Sequence, residues 1–280
     1  MSKKKQIRTA PQELALPAGG VDTHAHLAFP EYTAGTAEAD MELPQVILRA
    51  KESGLDAIGN IFASAEHWQT AGELFSAFPQ VFFQLGVHPT EADLLTDKQT
   101  EAMRDAVNSD SRIRAIGEIG LDYYWPDQPP QVQKRAFIAQ LRLAGQLDLP
   151  VSIHCRDAWA DTVSILESEG FIGRPLLWHC FGGDIPMAQA ILKRGWEISI
   201  PGPITFKRNE ALREAVAHIP LDRLHLETDS PYLAPEPWRG RPNEPALVVF
   251  TAAEAARCKD MPVSELWLAT GKNSKRFFGL

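Results

Sequence analysis

The sequence predicts an α/β fold, a (β/α)8 barrel of the TIM type. Three observations predict it: eight short apolar runs recur along the chain, helical patterns lie between them, and residue types that bind metals gather at the ends of the runs. The runs are 20–27, 57–63, 82–88, 113–120, 150–155, 175–180, 196–202 and 223–229. Each is nearly continuous in apolar residues, as parallel strands covered on both faces must be.

The helical segments follow in order. Thr96–Asn108 opens with a threonine cap and an acidic first turn. Gln131–Asp148 is the clearest, because Phe137, Leu141, Ala144 and Leu147 recur at three- and four-residue intervals and form one apolar stripe. Segments 184–194 and 207–218 repeat the pattern. Strands that alternate with helices imply βαβ units and parallel pairing, and eight units in this length point to a barrel rather than an open sheet. A doubly wound sheet is the competing arrangement. No strand here is followed by GxGxxG, and polar residues sit at many strand ends instead of one crevice. A Pro-rich loop, 231–245, and a helical stretch, 245–280, complete the chain. The expected division is an N-terminal tail, 1–19, and a single barrel domain, 20–280.

Composition narrows the function. The 280 residues are 44% apolar and 23% charged, ordinary for a globular protein and enough for one barrel of about 250 residues. A net charge of −8 excludes a broad basic surface that holds nucleic acid by charge alone. A nuclease remains possible if its contacts are local, through metals and a few Arg or Lys side chains. Cys155, Cys180 and Cys258 form no CxxC pair, so no disulfide framework is expected, which fits a reducing cytoplasm. The first twenty residues lack the apolar stretch of a signal peptide, and Lys3, Lys4 and Lys5 read as a solvated tail. No run approaches the roughly 20 apolar residues of a membrane span, and no obligate protein partner is implied.

Chemistry enters with Asp22-Thr-His24-Ala-His26. Strand residues two apart share a face, so His24 and His26 can grip one ion together. His88, His154 and His179 fall at the ends of strands three, five and six, Glu118 at the matching position of strand four, and Asp229 at the end of strand eight. Barrel enzymes place their catalytic groups at these strand ends. Four imidazoles (His24, His26, His154 and His179) and two carboxylates (Glu118 and Asp229) suit one or two divalent ions with a position left open for water. Imidazole nitrogen favours Zn, Mn, Ni or Fe over Mg, although cellular availability can override that preference.

Neighbouring positions sort by the same alternation. Cys155 and Cys180 should face the helices as packing residues. Arg156, two after His154, can turn inward and clamp a phosphate. Glu227 lies one layer below Asp229 and is placed to orient a ligand. His67 and His218 read as packing or surface residues, and His225 sits too early in strand eight to reach the mouth. Trp238 fits a pocket wall or an exposed loop equally well.

The stretches DTHAHL, GVHP, GEIGLDYY, PVSIHCRDAWAD, WHCFGG, ISIPGPITF, LHLETDSPYLAP and RGRPNEP stand in one order. In that order and spacing the chain, over about residues 20–280, resembles the TatD-family metal-dependent hydrolases. The resemblance implies a TIM-type barrel, metal dependence and 3′-to-5′ deoxyribonuclease activity, with DNA, single-stranded or at 3′ ends, as substrate. It also implies that His24, His26 and Asp229 hold one metal, His154 and His179 the second, and that Glu118 bridges the two. Ala28, Thr90 and Gly183 depart from the residues that many members carry at these places.

The expected reaction is in-line attack by a water-derived hydroxide activated by two divalent metals, with Asp229 taking the proton and Arg156 countering phosphate charge. Glu118, as the bridge, belongs to the catalytic set. Two alternatives are distinct in class. The same site would also hydrolyse an ester or amide, as an aminoacyl-tRNA deacylase or a small-molecule amidohydrolase. A metal-holding interaction protein without turnover would have little use for an open water position.

Overall fold

A computed structural model describes residues 8–33, 42–125 and 127–280. Lys3, Lys4 and Lys5 lie outside the described residues. Eight parallel strands form one sheet in chain order: β1 (Gly20–Ala25), β2 (Leu55–Phe62), β3 (Val81–Leu85), β4 (Ile113–Asp122), β5 (Val151–Arg156), β6 (Leu176–Trp178), β7 (Glu197–Ile200) and β8 (Leu224–Leu226). The ring closes from β1 to the segment after β8, where Ala25 bridges Ser230, Asp229 N–H donates to the carbonyl of His24, and His26 N–H to that of Ser230. The fold is a (β/α)8 barrel.

Among the described residues the helices are α1 (Pro30–Thr33), α2 (Leu43–Glu52), α3 (Ala65–Ala71), α4 (Asp97–Ser109), α5 (Pro130–Leu147), α6 (Trp159–Ser168), α7 (Ile185–Lys193), α8 (Glu210–His218), α9 (Val248–Cys258) and α10 (Val263–Phe278). Helix α4 starts where its cap predicts, the Thr96 hydroxyl accepting from Gln99 N–H. Helix α5 stops at Asp148, whose φ of 52° is left-handed. The expected helical stretch 245–280 is two helices, α9 and α10, broken by the Asp260-Met-Pro262 turn.

All eight expected runs are strands, but several are shorter. The run 223–229 keeps only Leu224–Leu226, and 175–180 only Leu176–Trp178. The trimmed residues include His179 and Asp229, and backbone freed from the ladder can aim side chains into the mouth.

The larger apolar core lies between strands and helices, with Trp178, Trp196 and Phe137 fully buried in it. At the N-terminal end of the barrel, Val21, Ala57, Phe82, Ala115 and Leu177 pack against Phe277 and Phe278 of α10. This plug leaves the opposite end free for chemistry. Residues 8–19 lie along the barrel: Arg8 Nε donates to Pro237 O, Trp238 Nε1 to Thr9 O, and Trp267 Nε1 to Pro17 O. Trp238 is therefore neither a pocket wall nor a free loop residue, but an anchor for the N-terminal segment. No helix among the described residues is long and apolar enough to cross a membrane.

Candidate metal centre

The six residues expected to bind metal converge from five segments. His24 is in β1 and His26 one residue past it; Glu118 is inside β4 and His154 inside β5. His179 follows β6 directly, and Asp229 lies in the segment that continues β8. Two glycines permit the approach. A Cβ on Gly86 would meet the backbone of Gly117 and Glu118 at 2.8–2.9 Å, and one on Gly120 would collide with the carbonyl of His154.

Glu118 stands at the centre, and its two oxygens face different partners. Oε1 is 2.7 Å from His154 Nδ1, 3.2 Å from His179 Nε2 and 3.8 Å from His88 Nε2. Oε2 is 3.3 Å from His24 Nε2. On that second side, Asp229 Oδ1 lies 3.3 Å from His26 Nε2 and 3.8 Å from His24 Nε2. The His24 and His179 rings stack at 3.6 Å between the two sides.

His24 is completely buried, and its nitrogens make no well-aligned hydrogen bond, Nε2 standing 3.3 Å from Glu118 Oε2. Buried polar atoms are ordinarily satisfied, so an orphaned imidazole facing carboxylates fits a cation. Two sets, His24–His26–Glu118 and Glu118–His154–His179, each bring their ligand atoms within 4.8 Å of one another. The donor chemistry fits divalent metal on both sides of Glu118.

The imidazoles and carboxylates of the site shift one another's protonation. Burial alone would raise Glu118, but the charges of His179, His24 and His88 hold its carboxyl well below the usual range. Asp229 is likewise lowered despite burial, through the His26 hydrogen bond and the charges of His179 and His24. His24 is pushed down by burial and by His179. His154 resists burial and rises to about 9 through hydrogen bonds to Asp122 and Glu118. Below the mouth, burial lifts Asp22 to about 8 even though Thr228 N–H, Thr228 Oγ1–H and His24 N–H donate to it. Those bonds tie β1 to the backbone that carries Asp229.

The family called TatD related DNase matches residues 21–279. The chain belongs to the TatD family. The uncharacterized metal-dependent hydrolase YabD of Bacillus subtilis is 36% identical over 257 residues, covering 92% of this chain and 98% of that one. The 3′-5′ ssDNA/RNA exonuclease TatD of Pectobacterium carotovorum is 34% identical over 256 residues, covering 89% and 96%. The solved structure of YJJV, a TatD homolog from Escherichia coli, superposes with a TM-score of 0.84 at 27% identity, over 94% of this chain and 99% of that one. The protein is a metal-dependent hydrolase of the TatD family.

Two of the three departures from the TatD pattern touch the pocket: Ala28 and Thr90 line it. Thr90 Oγ1 pairs with His88 Nδ1 at 2.6 Å, fixing a ring that stands edge-on to His154. Glu227 Oε1 is 3.1 Å from His179 Nδ1 and accepts from Cys180 N–H, the orienting position its register implies. Arg156 ends β5 at the pocket wall. Cys155 meets the expectation in part: its thiol interacts with Thr162 of α6, but the residue also lines the pocket.

Cys180 corrects the alternation argument: its thiol lines the pocket and comes within 4.8 Å of ligand atoms of His179 and Asp229. The strand has already ended at Trp178, and a φ of 49° turns the residue inward. His67, expected to be a packing or surface residue, also lines the pocket. Asp122 is the residue that sequence reasoning missed. Its Oδ2 lies 2.9 Å from His154 Nε2. The signal was present, since counting on from Glu118 in steps of two reaches Asp122.

Proposed function

We propose that this protein is a 3′-to-5′ nuclease that hydrolyses phosphodiester bonds of single-stranded DNA with two divalent ions. The observation that carries this reading is the division of partners around Glu118: His24 on the side of one carboxylate oxygen, where His26 and Asp229 also lie, and His154 and His179 on the other. His24, His26 and Asp229 would hold one ion, His154 and His179 the second, with Glu118 shared. When bound, such ions polarise a phosphoryl oxygen and acidify water.

The chain's own groups do the rest. Asp229, whose carboxylate lies beside His26 and His24, receives the proton of the attacking water at Oδ1 or Oδ2. Arg156 at the wall meets the phosphate charge that grows as the bond breaks. Glu227 fixes the ring of His179, and Asp122 that of His154. The pocket, with a cavity of about 1400 Å³, exceeds the roughly 300–1,000 Å³ of small-molecule sites, which favours a chain-like substrate over a small ester or amide. The exonuclease name carried by the Pectobacterium relative supports the same substrate class.

The test is elemental analysis of the purified protein, followed by turnover of a 3′-labelled oligodeoxynucleotide beside aminoacyl and amide substrates. Metal-replete protein should release 3′-terminal nucleotides, and chelator-stripped protein should not. Equal rates with and without metal, or cleavage of acyl substrates alone, would overturn the reading.

A further inference from the structure

Most large aromatic side chains are buried, yet the two that directly follow the GEIGLDY stretch are not: Tyr124 is 53% and Trp125 49% exposed. They stand just past the end of β4, and Trp125 lines the catalytic pocket. Their rings meet at right angles with centroids 4.9 Å apart.

This ledge is held in place. Asp122 Oδ1 accepts from the backbone N–H of Tyr124 at 2.9 Å and of Trp125 at 3.1 Å. Tyr123 N–H donates to Arg156 O, and the Tyr123 hydroxyl to Asp161. The other oxygen of Asp122 lies 2.9 Å from His154 Nε2. One carboxylate thus sets the aromatic rings in register with a candidate metal ligand. The Arg156 guanidinium sits 3.7 Å over the Tyr124 ring and 5.8 Å from that of Trp125. Among the described residues it pairs with an aromatic face and not with a carboxylate, so its charge remains available to a ligand.

Beyond the metal ligands and Arg156, charge adds little grip here. The chain carries a net −8, and Glu91 and Asp127 also line the pocket. A polyanion held in such a pocket needs a term that does not depend on counterion release, and stacking of bases on aromatic rings is that term.

We propose that Trp125, backed by Tyr124, is a nucleobase-stacking subsite at the rim of the pocket, with Arg156 contacting the adjoining phosphate. The ligand class is an unpaired nucleotide. A base inside a duplex keeps its faces covered by its neighbours, so the subsite selects single strands and frayed 3′ ends without reading sequence. This inference rests on the phosphodiesterase reading of the same pocket.

The experiment uses the full-length, metal-loaded protein. Binding of a 5′-fluorescein-labelled oligothymidylate with phosphorothioate linkages is followed by anisotropy. Trp125→Ala should weaken binding about 5- to 150-fold, the span for stacking one base on one ring, while Trp125→Phe, which keeps a ring, should stay within about threefold of the wild type. The loss in Trp125→Ala should persist as salt rises. Arg156→Ala should instead lower the slope of log affinity against log salt by about 0.7, one phosphate contact to a single strand. In turnover, the wild type should prefer an oligonucleotide with an intact 3′-terminal base over one ending in an abasic residue, and Trp125→Ala should lose that preference.

Wild-type hydrolysis of bis(p-nitrophenyl) phosphate, a phosphodiester without a base, separates the two levels of the argument. If it is hydrolysed but Trp125→Ala binds the oligothymidylate as tightly as the wild type, the stacking subsite is wrong. If neither it nor the oligonucleotide is cleaved, the underlying reading fails.

Discussion

Replacing Gly120 by Ala tests how the backbone makes room for the site. Gly120 has φ +148°, a conformation nearly closed to residues with a Cβ, and an added Cβ would run into the carbonyl of His154 on the neighbouring strand. Forcing a side chain into such a backbone costs on the order of 1–3 kcal/mol, and crowding a packed contact about as much again. The expected loss is therefore about 2–6 kcal/mol. At roughly 2.1 cal/mol/K per residue, 280 residues give an unfolding entropy near 0.6 kcal/mol/K, so Tm should fall by about 3–10 °C. Scanning calorimetry at fixed metal concentration measures it. Gly182→Ala is the control, because its added Cβ meets nothing within 4 Å and its φ lies outside the left-handed region. It should leave Tm within about 1 °C. Equal melting temperatures for Gly120→Ala and the wild type would refute the steric account of how β4 and β5 approach.

Other substitutions probe the centre itself. Glu118→Gln should reduce bound metal on elemental analysis and lower turnover of a labelled oligonucleotide at least about 100-fold, since one carboxylate serves both sides. Glu227→Gln should weaken metal affinity or turnover roughly 10- to 100-fold with little change in Tm, because Glu227 orients His179 from behind. Removing metal with a chelator should lower Tm by several degrees, since occupancy at a thousandfold over Kd stabilises by about 4 kcal/mol; an unchanged melt would count against a built metal site.

A pH effect is expected at the far end of the barrel. Burial would raise Glu197, but its hydrogen bond from His225 and the charges of His225 and Arg276 bring it below the usual value of 4.5. A depressed carboxyl stabilises the fold above its unfolded value and loses that contribution as the pH falls through the folded one. The urea midpoint of Glu197→Gln should therefore lie below that of the wild type near neutral pH and approach it as the pH falls below the usual value of 4.5. A constant gap across that range would show that Glu197 acts by packing alone.

The sequence by itself determined the barrel and picked out the five residues that gather around Glu118. Parallel strands buried on both faces must be apolar throughout, so a histidine or carboxylate at the end of such a run stands out. His24, His154 and Glu118 lie on strands, and His26 and His179 just past strand ends, where local pattern still governs direction. The family resemblance already implied which imidazoles share a side of Glu118, but only the tertiary structure sets the distances, because these depend on how separate strands pack. It also turned Cys180 into the pocket, since a residue at φ 49° beyond the ladder no longer obeys a two-residue alternation. The same holds for Asp122, whose two oxygens reach forward to the Trp125 backbone and across to His154. A side chain that joins a loop to a neighbouring strand has a role set by contacts distant in sequence, and such contacts exist only once the chain has closed into a ring.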